Sequence, residues 1–153
     1  MGLEQLAIAA AQRTPEATAV VGPDGSLSYA ALDRAATRLA LRLAEAGVGP
    51  GDRVALWLPK SCRAIVAMQA TLRLGAIYVP IDPEGPARRA RKVIVDAGAR
   101  CLISDGRPSP LEPGDPELLC LEVDLDLAGA VEPWQGRVDD EEALAYILYT
   151  SGS

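Results

Sequence analysis

The chain has 153 residues, a net charge of −6, 49% apolar residues and 24% charged residues. That suits one domain of ordinary size with a sizeable core, and it excludes a general nucleic-acid binder, which would carry a basic face. There is no His, and Cys62, Cys101 and Cys120 stand far apart without a C-x-x-C pair, which excludes a zinc-type centre and predicts buried free thiols in a reducing cytoplasm.

Aromatic residues make up only 4% and Phe is absent, so the core has to be built from Leu, Val, Ile and Ala. The N-terminal run MGLEQLAIAAAQ has an early acid and no basic stretch before its short apolar segment, which is not a secretory signal. No apolar stretch is long enough to cross a bilayer. The expectation is a cytoplasmic protein with no membrane partner.

Residues 4–12 predict a first helix ended by Thr14-Pro15. TAVVG and LSY, separated by Pro23-Asp24-Gly25-Ser26, predict a hairpin. Ser28 is placed to cap the next helix, whose Leu32, Ala35, Ala36, Leu39, Leu43 and Ala46 recur at helical spacing until Gly47. VALWL reads as a strand buried on both faces. Ser61 caps a well-covered helix that runs to about Leu74, and AIYVPID is the next strand.

Asp82-Pro83-Glu84-Gly85-Pro86 is a rigid turn in which Asp82 caps rather than catalyses. A helix over 87–97 follows, with Arg88, Arg89, Arg91 and Lys92 as either an anion-docking face or a solvated one. RCLIS and LLCLEV are strands on either side of a proline-rich, mobile loop at 106–117. Residues 124–142 are acidic and weakly patterned, and LAYILYT is the last strand, with Tyr146 and Tyr149 packing in the core. Trp57 and Trp134 read likewise as core residues. The alternation of helices and strands predicts an α/β fold with a largely parallel sheet.

Ligands of open α/β sheets collect at the carboxyl ends of strands. The last strand delivers Thr150, Ser151, Gly152 and Ser153 there. Small residues with hydroxyls and a freely turned backbone let phosphate oxygens approach successive N–H groups. The four residues do not form the G-x-x-x-x-G-K-[ST] pattern, and taken alone they suit a turn or a linker better than a phosphate site.

Three segments together carry more. LSYAALD (27–33) resembles the first core motif of adenylate-forming enzymes, LRLGAIYVPIDPEGPARR (72–89) the second, and LAYILYTSGS (144–153) the start of the third, the phosphate loop. GVGPGDRVAL and DAGARCLISD between them also fit, so the resemblance spans nearly the whole chain. It is nearest to the amino-acid adenylation domains of nonribosomal peptide synthetases, within the superfamily of acyl-CoA synthetases and luciferases. Departures fall on packing and caps: Ala31 stands where the first motif has Glu, and Gly85-Pro86 and Arg88-Arg89-Ala90 replace the second motif's Tyr-Pro and Glu-Arg-Leu.

The resemblance implies that residues 1–153 are the incomplete N-terminal part of a large adenylation domain. Its continuation would be Thr-Gly-x-Pro-Lys-Gly, with the acid pocket, the ribose-binding acid, the Mg²⁺ carboxylate and a mobile lysine further on. No catalytic residue and no metal ligand is then expected on this chain, while Thr150, Ser151, Gly152 and Ser153 would hold the β- and γ-phosphates of ATP. The implied partners are the rest of the same enzyme, a carboxylic-acid substrate (most readily an amino acid) and a carrier protein. The implied reaction joins a carboxylate to ATP as an acyl-adenylate with Mg²⁺ present, then passes the acyl group to the carrier's phosphopantetheine thiol. The first Met near the first helix favours a free-standing or initiating enzyme. The alternatives are an acyl- or aryl-CoA ligase of the same superfamily, or a non-catalytic α/β binding module that ends at Ser153.

Overall fold

A computed structural model of the chain describes residues 2–123, 125, 134 and 145–149. Helix α1 (Leu3–Arg13) leads into an antiparallel hairpin of β1 (Thr18–Gly22) and β2 (Gly25–Ser28). Then come α2 (Tyr29–Glu45), β3 (Arg53–Trp57), α3 (Cys62–Arg73), β4 (Ile77–Ile81), α4 (Ala87–Ala97), β5 (Cys101–Ser104) and β6 (Leu119–Glu122). The second strand of the hairpin ends at Ser28, one residue short of the LSY reading, because Ser28 turns outward as the cap of α2 and its hydroxyl accepts from Ala31 N at 3.1 Å. Ser61 caps α3 in the same way, accepting from Ala64 N at 3.1 Å. Gly98 stops α4 in the left-handed region, at φ 63°.

Strands β4, β3, β5 and β6 form one parallel sheet in that order. From β3 the chain moves outward to β4 through α3, then reverses and passes over β3 to β5 through α4. With both crossovers right-handed, a reversal of direction places the two helices on opposite faces. The side chains follow: Val54, Leu56, Cys101 and Ile103 point into the core shared with α2 and α3, and Ala55, Trp57 and Leu102 into the core shared with Ala90, Val93, Ile94 and Ala97 of α4. Each fully buried Leu or Val of these strands contributes roughly 1.5–3 kcal/mol relative to exposure. The hairpin lies on the α2–α3 side, and it lies close: a Cβ on Gly22 would come within 3.1 Å of Cys62 N, so a side chain there would crowd the start of α3.

One charged cluster is sealed inside the helical layer. The Arg73 guanidinium, from the last turn of α3, bonds Asp33 Oδ1 at 2.8 Å, Thr37 Oγ1 at 2.7 Å and the Asp33 carbonyl at 3.2 Å, all on α2. Its side chain is 0% exposed, and its Nε has no acceptor. Burial lowers the Arg73 pKa, and Asp33 and Glu4 of α1 oppose that.

Between β5 and β6 no helix crosses over. The expected loop is tied to α4: Arg91 holds Asp115 through two bonds of 2.7 and 2.8 Å, and Leu111 and Leu118 pack on the α4-side core. Of the three thiols, Cys62 and Cys101 are buried as expected, but Cys120 is exposed, because β6 is an outer strand whose residues are mostly uncovered. Among the described residues no helix is long and apolar enough to cross a membrane.

The expected last strand is reduced, within residues 145–149, to a single parallel bridge between Tyr146 and Tyr78 on the outer edge of β4. The register explains why. Ile77 N donates inward, to Asp52 O at 2.7 Å, while Tyr78 N donates outward, to Ala145 O at 3.0 Å, and Tyr78 O accepts from Ile147 N at 3.1 Å. The next outward-facing residue of β4 is Pro80, which has no N–H to donate. Proline is tolerated here because its missing donor faces away from β3, and it halts the outer ladder after one rung.

Candidate functional site

The carboxyl edge of the parallel sheet is built from the turns that follow β3, β4 and β5. Chain direction reverses between β3 and β5, the place where open sheets present a crevice. Arg107, just after β5, grips Asp105 through bonds of 2.7 and 2.8 Å. It also donates to the Pro83 carbonyl at 3.2 Å and lies 5.5 Å from the Trp57 ring centroid. One guanidinium thus staples the ends of three strands together. The bond from Arg107 holds the Asp105 carboxyl below the usual carboxylate range, and Asp105 in turn raises Arg107, so both stay charged. Trp57 is buried beneath them, and its Nε1 lacks an acceptor.

Next to this staple, a cleft of about 310 Å³ is lined by Asp24, Arg63, Asp105 and Glu122. Asp24, on the hairpin turn, accepts from Cys62 N at 2.9 Å and from Arg63 N at 3.2 Å, and so closes the first turn of α3. Burial raises the Asp24 pKa, but its hydrogen bonds, led by those from Cys62 N and Arg63 N, together offset it and the net shift is downward. A larger, mostly apolar groove of about 910 Å³ opens between the hairpin, α3 and the β4–α4 turn, with Val21, Pro23, Lys60, Met68 and Asp82 on its walls. Ile65 and Met68 of α3, expected under cover, are only partly buried and line this groove. Asp82 has its expected turn role, with Oδ1 accepting from Glu84 N at 2.9 Å.

The segment at 145–149 runs parallel to β4 and therefore towards the same carboxyl edge. It is held on both faces. The Tyr146 ring stacks on Tyr78 at 5.5 Å between centroids and 25° between planes, and Ile147 packs against the α4-side core. Tyr146 was expected in the core, as was Tyr149. Instead they are 46% and 38% exposed, in a segment that lies outside the outermost strand β4 and is bridged to it at Tyr146. Thr150, Ser151, Gly152 and Ser153 lie outside the described residues. Trp134 packs partly buried against the α2–α3 core, and Trp57 is a core residue as read from the sequence.

On α4, Arg91 is committed to Asp115, while Arg88, Arg89 and Lys92 are exposed, in keeping with a solvated face. Among the described residues no three His, Cys, Asp or Glu side chains gather in a way that could hold a metal ion. The Arg107 staple and the Tyr78–Tyr146 pair were missed in the sequence. The only signals were an Asp-Gly-Arg turn directly after a strand and two tyrosines in separate motifs, neither of which discloses a contact across the fold.

A family model described as AMP-binding enzyme matches residues 8–153. The chain is 37% identical over 145 residues to syringomycin synthase SyrB1 of Pseudomonas syringae pv. syringae, covering 94% of this chain and 23% of that protein. It is 39% identical over 157 residues to the isonitrile lipopeptide synthase of Mycobacterium tuberculosis, covering 100% of this chain and 6% of that one. Among solved structures, the AMPPNP-bound form of the nonribosomal peptide synthetase FmoA3 matches with a TM-score of 0.85 at 33% identity, covering 98% of this chain and 16% of that chain. The N-terminal domain of FACL13 from Mycobacterium tuberculosis matches with a TM-score of 0.82 at 26% identity, covering 99% and 42%. The chain spans less than a quarter of the length of these two curated relatives.

Proposed function

Because the chain belongs to the AMP-binding enzyme family, we propose that it is the N-terminal part of the large domain of an ATP-dependent adenylate-forming ligase of the nonribosomal peptide synthetase type. The observation that carries this reading is the match to such synthetases along more than nine-tenths of the chain, at 37% and 39% identity. The enzyme activates a carboxylic acid, most readily an amino acid, by attack of the carboxylate on the α-phosphorus of ATP. Pyrophosphate leaves, and the acyl group is then passed from the adenylate to the phosphopantetheine thiol of a carrier protein, with AMP as the leaving group. Mg²⁺ accompanies the nucleotide.

In this reading Thr150, Ser151, Gly152 and Ser153 begin the loop that holds the β- and γ-phosphates. Their backbone N–H groups and hydroxyls orient the leaving pyrophosphate, a role of positioning and charge neutralisation rather than covalent catalysis. The parallel course of residues 145–149 along β4 supports it, since that course leads to the carboxyl edge. The rest of the enzyme supplies the acid pocket and completes the groove beside the hairpin. Three free cysteines suit a reducing cytoplasm.

The test is ATP–pyrophosphate exchange by the full-length enzyme against a panel of amino and aryl acids. Exchange driven by one acid or a narrow set is expected, and silence across the panel rejects the reading. The FACL13 likeness keeps a CoA ligase in view. Loading of a carrier protein with no acyl-CoA formed favours the synthetase, and the converse favours the CoA ligase.

A further inference from the structure

We infer that Tyr78 and Tyr146 are a positioning pair for the nucleotide-phosphate loop, fixing the point on the sheet's outer edge from which the chain departs towards Thr150. This rests on the loop assignment proposed above. Tyr78 is anchored, packing half-buried against the α2–α3 core from the middle of β4. Tyr146 is not: it is 46% exposed, and what holds its ring is the stack on Tyr78 at 5.5 Å. Around that stack, Tyr78 supplies both backbone bonds of the rung, donating to Ala145 O at 3.0 Å and accepting from Ile147 N at 3.1 Å. One residue of β4 therefore provides the backbone donor, the backbone acceptor and the ring that together set the register of the outer segment.

Among the described residues after Tyr146, only Ile147 shares the task, by packing against the α4-side core. Pro80 cannot extend the ladder, and Leu148 is 64% exposed. A parallel edge strand held by one rung is prone to slip, and a slip of one residue reverses the facing of every side chain after it. The ring stack on one face and Ile147 on the other distinguish the native register, since backbone bonds alone are indifferent to it. Burial and then the neighbouring Tyr146 push the Tyr78 pKa up, which favours the neutral ring.

The experiment uses the full-length enzyme with Tyr146→Ala, Tyr146→Phe, Tyr78→Leu (which keeps apolar bulk in the core) and the Tyr78→Leu/Tyr146→Ala pair. Two readouts are taken: the KM values for ATP and for the acid in pyrophosphate exchange, and hydrogen exchange of peptides covering 147–153. Tyr146→Ala should raise the ATP KM roughly three- to tenfold, the worth of one aromatic pair, with the acid KM changed less than about twofold. The same peptides should exchange faster, Tyr146→Phe should behave as wild type, and the double variant should be no worse than Tyr146→Ala. Unchanged ATP KM in Tyr146→Ala overturns the inference, as does an equal rise in both KM values, which would mark a general structural loss. A wild-type enzyme inert with every acid rejects the adenylating reading instead, and unaltered hydrogen exchange in Tyr146→Ala then rejects the tether independently.

Discussion

Removing the counter-ion of Arg73 should destabilise the domain more than removing Arg73 itself. In Asp33→Ala the guanidinium loses its 2.8 Å carboxylate partner but keeps Thr37 Oγ1 and the Asp33 carbonyl. It stays 0% exposed, with an Nε already lacking an acceptor. Breaking a buried ion pair from one side costs about 3–5 kcal/mol. Asp33 is 27% exposed and Glu4 adds some compensating field, so about 2–3 kcal/mol is the expected figure. That corresponds to a fall of roughly 5–10 °C in the Tm of the domain. Arg73→Met removes the desolvation of the charge and the orphaned Nε together. The Thr37 hydroxyl can then turn to the Asp33 carbonyl one helical turn back, and stability should stay within about 1 kcal/mol of wild type. Thermal unfolding of the two variants, in the full-length protein at neutral pH, decides the matter. An Asp33→Ala protein at least as stable as Arg73→Met would refute the account of this cluster.

Other consequences can be measured in the same protein. The folded-state pKa of Asp24 is lowered from 3.8, so its contribution is fully present above about pH 4 and is lost as pH falls through the folded value. The Tm gap between wild type and Asp24→Asn should therefore narrow on acidification from about pH 6 to pH 3, and a gap that widens contradicts the sign. Cys101 is pushed up to about 12 by burial and by Cys120, and burial followed by Asp24 raises Cys62. Alkylation of the folded protein at about pH 8 should label Cys120 alone among the three, and peptide mass spectrometry finding an adduct on Cys62 or Cys101 would show that their burial is wrong. Gly152→Val should abolish most pyrophosphate exchange without moving Tm, since a side chain there blocks the approach of phosphate. Exchange equal to wild type would remove that residue from the loop's function.

Much of the fold is legible in the sequence because its signals are local. Ser28 and Ser61 cap helices as read, Gly98 stops α4, and α4 covers the residues expected. Burial of β3 on both faces follows from an apolar run without alternation. What is not legible depends on partners far away in the chain. Arg73 in an apolar helix looks like a solvent-facing end, and only α2 crossing above it makes it buried. Cys120 sits in a strand pattern no different from that of Cys101, but one strand is central and the other outermost. The loop motif is readable as a string of residue types, whereas the Tyr78–Tyr146 contact that precedes it joins positions from two motifs and exists only once β4 and the outer segment lie side by side.

Pro80 separates two mechanical regimes along one strand. Inward, β4 remains paired with β3 through Ile81; outward, among the described residues, it pairs at Tyr78. A shift of the segment at 145–149 would break its bonds to Tyr78 and none of the pairing between β4 and β3. The scaffold can stay still while its outermost thread works.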